Sequence, residues 1–344
     1  MRKALKGILT LIVILSLVLF ACTSDPVEVE DPVEGPDEGN ETVEVDKLAV
    51  RVAALKGPTG MGMVKLMEDK ELGTTELDYD FTLMGSPDEL TGKIINGEVD
   101  VAAVPTNLAS VIYNKTEGDI QLAAVNTLGV LYLMENGQDI NDISDLKGKT
   151  VNISGKGATP DFAFQYILEK NGLKADEDVT LDFTLQHADL AAAVSAGDID
   201  IALLPQPHVT TALMKNEDVR IALDITEEWS KVMEDEGQLV MGVIIVQRDF
   251  AENNKEALNT FLDEYKQSVE FVNEEIDEAA ELIAKYEILP NTEIAKNAIP
   301  YCNIVYIDAQ EAKSFIEEFY QVLYNFEPKS IGGQLTDDEF YYKK

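Results

Sequence analysis

The chain has 344 residues, 45% of them hydrophobic, and a formal net charge of -37. That length and apolar content allow two or three domains with real cores and exclude a disordered chain. So negative a chain is a poor partner for nucleic acid or an anionic lipid surface, although donors grouped in a cleft can still hold an anionic ligand locally.

Arg2, Lys3 and Lys6 precede the apolar run Gly7 to Phe20, which ends in Leu19-Phe20-Ala21-Cys22. A basic start, a short hydrophobic stretch and a small-residue cleavage point make 1-21 a signal peptide. The Leu-x-Ala-Cys ending resembles the lipobox of bacterial lipoproteins, which implies cleavage before Cys22 and lipid attachment on its sulfur. Several acyl chains anchor a protein stably where one would not. Residues 22-46 carry ten acidic residues, three Pro and no Lys or Arg. They read as a solvated tether spanning roughly 25 to 30 Å.

A strand at Leu48 to Leu55 leads into the loop Lys56-Gly57-Pro58-Thr59-Gly60 and one helix reaching about Lys70. A strand follows from Tyr79 to Met84, and Ser86-Pro87-Asp88-Glu89 has the spacing of a capping box opening the next helix. The strand Val99 to Val104, a helix capped by Thr106 and the strand Ile120 to Thr127 complete an alternating unit, which calls for a parallel sheet covered by helices. The chain then repeats itself. Gly97-Glu98-Val99-Asp100-Val101-Ala102-Ala103-Val104-Pro105 is echoed one hundred positions on by Gly197-Asp198-Ile199-Asp200-Ile201-Ala202-Leu203-Leu204-Pro205, and Lys56-Gly57, Thr59 and Leu90 by Lys156-Gly157, Thr159 and Leu190. Several matches in one register mean a duplicated unit. The second copy has strands at Thr150 to Ser154, Thr180 to Leu185, Ile199 to Leu204 and Val219 to Ile225, with Thr159 capping its first helix. Beyond the strand Leu239 to Val246, the stripes of Phe261, Tyr265, Val269 and Val272 and of Ala312, Ile316, Phe319 and Leu323 mark core-facing helices. The expected division is one lobe from 47-127 and 238-344 and a second from 128-237, with crossings at Thr127 to Tyr132 and Glu236 to Met241.

Ligands of such sheets sit beyond the carboxyl ends of the strands, where helix N-termini present unpaired N-H groups. The candidate ligand-binding residues are therefore Gly57, Thr59, Gly60, Thr106, Asn107, Thr127, Lys156, Gly157, Ala158, Thr159 and Gln206. Gly155-Lys156-Gly157 lacks the spacing of a nucleotide-binding loop. His187 and His208 are the only histidines and sit in no metal-ligand motif, so neither a metal nor a cofactor is expected. Both read as first-turn surface residues. With Cys22 given to lipid, Cys302 is left unpaired and no disulfide is expected.

These residues carry a family resemblance. Asp145-Leu146-Lys147-Gly148-Lys149 through Gly157-Ala158-Thr159, the turn Gly172-Leu173, Ala193 to Pro205 with its Pro205-Gln206-Pro207 exit, the strand Val240 to Phe250, and the endings Ile331-Gly332-Gly333 and Asp338-Glu339-Phe340-Tyr341-Tyr342 resemble the substrate-binding lipoproteins of ATP-driven importers, in the group of nitrate, aliphatic sulfonate, taurine and thiamine-precursor binders. The resemblance covers about Leu48 to the C-terminus. It implies an α/β, two-lobed clamshell of the periplasmic-binding-protein type II class, with mixed, mostly parallel sheets and two crossings. It also implies a small-molecule ligand (a sulfonate, a nitrate-like anion or a heterocyclic precursor), a permease and its ATPase as partners, a monomer, and an extracytoplasmic place on the bacterial cell membrane. Where the group often has Glu-Pro, this chain has Gln206-Pro207, which speaks against a cationic ligand group there. Two rival readings are a ligand-sensing surface receptor and a pyrimidine-synthase-like enzyme of the same fold. The enzymes depend on a Cys-rich motif that is absent here.

Overall fold

The computed structural model describes residues 47-233 and 237-344. The signal segment 1-21, Cys22, the tether 22-46 and Glu236 of the second expected crossing lie outside the described residues. In chain order the elements are β1 (Ala49–Leu55), α1 (Pro58–Met61), α2 (Val64–Glu71), β2 (Asp78–Met84), α3 (Pro87–Ile95), β3 (Val101–Pro105), α4 (Thr106–Lys115), β4 (Ile120–Leu128), β5 (Leu131–Asn136), β6 (Thr150–Ile153), α5 (Thr159–Lys170), β7 (Thr180–Asp182), α6 (His187–Ala196), β8 (Ile201–Pro205), α7 (His208–Lys215), β9 (Val219–Asp224) and α8 (Ile225–Val232). There follow β10 (Val240–Gln247), α9 (Arg248–Asn253), α10 (Lys255–Glu274), α11 (Ile276–Lys285), α12 (Thr292–Ala298), β11 (Ile304–Asp308) and α13 (Ala309–Phe326).

Two mixed sheets organise these elements, one ordered β11-β4-β10-β3-β1-β2 and the other β7-β6-β8-β5-β9. In the larger sheet β2, β1, β3 and β4 point one way and β10 and β11 the other; in the smaller sheet only β5 runs against its neighbours. The repeated sequence is visible as repeated topology. β2-β1-β3 corresponds to β7-β6-β8, each followed by one antiparallel strand and then by β4 or β9. At the heart of each copy the chain leaves a helix through a glycine with positive φ, Gly97 at 67° and Gly197 at 77°. That conformation is free only for glycine, and the buried strand ending in Pro105 or Pro205 follows.

The crossings orient the two sheets. β4 passes through Gly129-Val130 into β5, with Leu128 paired to Val240 on one side and Leu131 to Pro205 on the other. Since β5 starts beside the end of β8, this crossing joins the carboxyl edge of one sheet to the carboxyl edge of the other. The loops that follow β1, β3, β6 and β8 therefore face each other. The C-terminal helices divide between the lobes. α10, α11 and α12 share a core with α2 and one face of the larger sheet, whereas α13 packs on β4 and also reaches α5 of the smaller lobe. There Trp229 of α8 is fully buried between Tyr166, 5.3 Å away, and Phe319 of α13, 5.6 Å away. A further ring contact, Tyr132 with Tyr301 at 6.5 Å, joins β5 to the segment after α12.

Several local expectations shift. The loop expected over Lys56 to Gly60 winds into the short α1, and the helix expected after it begins only at Val64; between them Gly62 lies so close to the buried Tyr265 that a Cβ there would be 2.8 Å from its hydroxyl. β7 ends at Asp182, whose side chain accepts from the Thr184 N-H at 2.8 Å and turns the chain out of the sheet. Ser86 is the N-cap of α3 but makes no side-chain capping bond, so the expected capping box does not form.

Candidate functional site

On the larger lobe the loop after β1 is held from within. Gly57, with φ 119°, opens α1, and its carbonyl accepts from the Gly60 and Met61 N-H groups, both at 3.0 Å. The Thr59 hydroxyl donates back to the Leu55 carbonyl at 3.3 Å. Gly60 allows the turn to close, since a Cβ there would stand 2.6 Å from the Leu55 oxygen. The buried Asn126 side chain then ties this loop to β4: its Nδ2 donates to the Thr59 carbonyl at 3.4 Å and its Oδ1 accepts from Thr127 Oγ1 at 3.2 Å. Gly242 of β10 completes the cluster. A Cβ on it would lie 2.5 Å from Asn126 Oδ1 and 2.7 Å from Thr59 Cγ2.

Thr106 and Asn107 open α4 at the end of β3. Thr106 is fully buried, and its hydroxyl has no hydrogen-bond partner, while its carbonyl accepts from Tyr320 Oη of α13 at 2.7 Å. Asn107 donates through Nδ2 to the Ser330 carbonyl at 3.2 Å and accepts at Oδ1 from Thr159 Oγ1 of the smaller lobe, also at 3.2 Å. This hydrogen bond runs directly between loops of the two lobes.

On the smaller lobe the expected loop divides. Thr159 is 1% exposed and faces Asn107, but the backbone donors before it are already used. Asp161, itself buried, accepts the Gly157 N-H at 2.8 Å, and the Ala158 N-H bonds to the Gly155 carbonyl at 3.0 Å. Lys156 and Gly157 are exposed, and the Lys156 ammonium lies 5.2 Å over the Phe183 ring. Lys156, Gly157 and Ala158 are thus not shown joining Thr159. Gln206 is 2% exposed. Its backbone N-H donates to Val130 in the crossing at 2.9 Å, its Oε1 accepts from the Thr210 N-H at 3.2 Å and the Thr210 hydroxyl at 2.8 Å, and its Nε2 has no partner.

The two threonines are not caps, contrary to the expectation. Pro105 and Ala158 hold the N-cap positions of α4 and α5, and Thr106 and Thr159 stand one residue inside. One step into the helix, a threonine hydroxyl no longer faces the free N-H groups of its own first turn. That leaves Thr159 to bond across the cleft and Thr106 with no internal partner.

The histidines are more than surface residues. His187 and His208 begin α6 and α7, and their rings stack at 5.5 Å. His187 Nδ1 meets the hydroxyl of the buried Ser154. Burial lowers the basicity of both rings, and burial together with the charge of His187 takes His208 down to about 4. Sequence reading missed this pair because its members are twenty-one positions apart in an unremarkable context. It also missed Asn126, whose only signal is a carboxamide inside an apolar strand. Open grooves of about 550 and 770 Å³ lie elsewhere, at the amino ends of β6 and β8 and beside α11 and α12, and carboxylates line much of both.

Two lobes joined at the carboxyl edges of mixed sheets, with polar side chains meeting between them, define the substrate-binding proteins of the periplasmic type II class. The sequence model of the family described as "ABC transporter, phosphonate, periplasmic substrate-binding protein" matches residues 69–293, and the chain belongs to that family. It is thus a substrate-binding component of an ABC importer, in a family of transport proteins and not of enzymes. Among solved structures, an ABC transporter protein from Parabacteroides distasonis is 23% identical, with 86% of this chain and 99% of that one covered and a TM-score of 0.73. The periplasmic aliphatic sulphonate binding protein SsuA from Escherichia coli is 19% identical over 84% of this chain and 93% of its own, with a TM-score of 0.66. The periplasmic nitrate-binding protein NrtA from Synechocystis PCC 6803 is 11% identical over 82% of each chain, with a TM-score of 0.59. No curated protein sequence matches the chain. No helix among the described residues is long and apolar enough to cross a membrane.

Proposed function

We propose that the protein captures a small molecule, a sulfonate, a nitrate-like anion or a heterocyclic precursor, between lobes formed by 47-127 with 238-344 and by 128-237, and hands it as a monomer to a permease and its ATPase. The observation that carries this reading is the Asn107–Thr159 hydrogen bond between the lobes, flanked by the buried and unpartnered Thr106 hydroxyl and Gln206 amide. Thr59 and Thr127, tied together through Asn126, form the wall beside them. A cleft of this kind closes when a ligand supplies contacts to both lobes at once. Native mass spectrometry of protein purified without denaturation should show a small molecule bound, and small-angle scattering should give a smaller radius of gyration with that molecule than without it. An unchanged radius at saturation sinks the proposal.

Anchoring belongs to the same proposal. Arg2, Lys3 and Lys6, the apolar run and Leu19-Phe20-Ala21-Cys22 support a lipid on Cys22, with 22-46 as tether. Cys22→Ser should move the protein from the membrane fraction to the soluble extracytoplasmic fraction.

A further inference from the structure

We propose that Asn303 narrows the hinge to a single pivot: its side chain ties the Gly129 carbonyl to the larger lobe, so that in this crossing the lobes turn relative to one another only about Val130. This rests on the lobes moving as two bodies.

The first crossing leaves little chain to rotate. Leu128 is paired with Val240 of β10 and Leu131 with Pro205 of β8, so Gly129 and Val130 alone lie between the two sheets and must absorb any turn. Peptide planes are rigid, and freedom resides in the torsions between them. Asn303 stands immediately before β11, whose Ile304 pairs with Thr127 at the end of β4. Its carbonyl accepts the Leu128 N-H at 3.1 Å, and its side chain bonds the Gly129 carbonyl. A carbonyl can only accept, so the group facing it is the NH2 of Asn303. The plane joining Gly129 to Val130 is thereby fastened to the larger lobe. The next plane, joining Val130 to Leu131, is fastened to the smaller lobe, because the Val130 carbonyl accepts the Gln206 N-H at 2.9 Å. Only the φ and ψ of Val130 lie between the two fastened planes.

Independent observations point to the same place. Asn303 has φ 41°, a left-handed conformation that Asn and Asp tolerate better than other residues with a side chain. Gly129 is glycine for want of space: a Cβ there would run into the Thr226 hydroxyl at the start of α8. Without the Asn303 bond, glycine's wide backbone freedom would therefore sit inside the hinge. Val130 is buried and carries a Cβ, so far fewer backbone conformations are open to it. The same segment also reaches past the pivot, since the Tyr301 carbonyl accepts from Tyr132 Oη of β5 at 3.3 Å.

Two variants isolate the amide. Asn303→Gly suits the left-handed backbone and removes the donor, whereas Asn303→Asp keeps the side chain's shape and conformation but has only acceptors to present to the carbonyl. Spin labels introduced by Glu89→Cys and Asp189→Cys, exposed residues in the first turns of α3 and α6, report the distance between lobes by electron double resonance. The full chain in detergent serves, because Cys302 is buried and will not take a label. Both variants should broaden the distance distribution of the ligand-free chain, while the Leu128 amide stays protected from hydrogen exchange. In the chain with Asn303 in place, the Leu128 and Gln206 amides should both exchange as slowly as those of the core strands, since turning about Val130 breaks neither bond. Unaltered widths in both variants, broadening in Asn303→Gly alone, broadening accompanied by loss of Leu128 protection, or fast exchange at Leu128 or Gln206 before any substitution would each overturn the proposal. Should both variants fold poorly, the exchange measurement on the unsubstituted chain decides alone. Unaltered widths with a radius of gyration that still falls when the copurified molecule is bound would refute the role of Asn303 and leave closure standing; unaltered widths with an unchanging radius would remove both.

Discussion

The residues of the cleft do two kinds of work, and single substitutions separate them. Gly242 makes room: a methyl group there would stand 2.5 Å from Asn126 Oδ1 and 2.7 Å from Thr59 Cγ2. Gly242→Ala should therefore cost about 1 to 3 kcal/mol by overpacking, read by denaturant unfolding. It should also displace Thr59 and Asn126 enough to weaken ligand binding. Thr159 makes a bond instead. Because it stands inside α5 and not at its cap, Thr159→Val should lose only the bond to Asn107, about 0.5 to 1.5 kcal/mol of stability, and Thr159→Ser should restore it. Loss of the same amount in both variants would mean that packing, not the hydroxyl, matters. Cys302 is buried and free, with its thiol pushed up by burial, so reductant should leave the melting temperature unchanged.

At the scale of elements, α6 and α7 present a stacked pair of neutral imidazoles at their first residues. The ordinary histidine value is 6.5, and His208 sits at about 4 in the folded chain. The unfolded chain therefore takes up the extra proton first as pH falls. Stability from a neutral His208 is complete above pH 6.5 and is lost between 6.5 and 4, on the order of 3 kcal/mol in total. His208→Phe should flatten the pH dependence of the unfolding free energy across that window, and an unaltered slope would place the effect elsewhere. Most strands and helices were legible because each is a short apolar run or a clean stripe bounded by Gly, Pro or Asn. Cap positions were not. In α5, Pro160 is compatible with either of the first two helical positions, so Thr159 could be read as N-cap when Ala158 holds that place. Nor does local pattern reveal that β10 inserts between β3 and β4, since that pairing joins segments more than a hundred residues apart.

For the whole molecule, α13 is the unexpected element. Sequence reading assigned its apolar stripe to core without saying whose core, and the stripe serves both lobes: Phe319 meets Trp229 of the smaller lobe, while Tyr320 bonds to Thr106 of the larger. The crossing at Gly129-Val130 is therefore supplemented by a helix seated on both bodies. Phe319→Ala should cost about 3 to 5 kcal/mol and shift the emission of Trp229, the chain's only tryptophan, to the red. In the unaltered protein α13 should stay docked on α8 whether or not ligand is bound, because separation would expose two large rings. Acrylamide quenching of Trp229 should then be low and equal in both states, and a rise on ligand removal would show that the contact opens.

The placement of β10 also dictates an order of assembly. All five strands of the smaller sheet lie in one continuous stretch, residues 131–224, whereas the larger sheet needs β10 and β11, from 240–308, to fill its middle and its edge. Closing long loops slows the pairing of distant strands. A chain emerging from its N-terminus can thus finish the inserted lobe while β3 and β4 still wait for the strand that will lie between them. Pulse-labelled hydrogen exchange during refolding should find β6 and β8 protected before β3 and β4, although β3 and β4 come first in the chain.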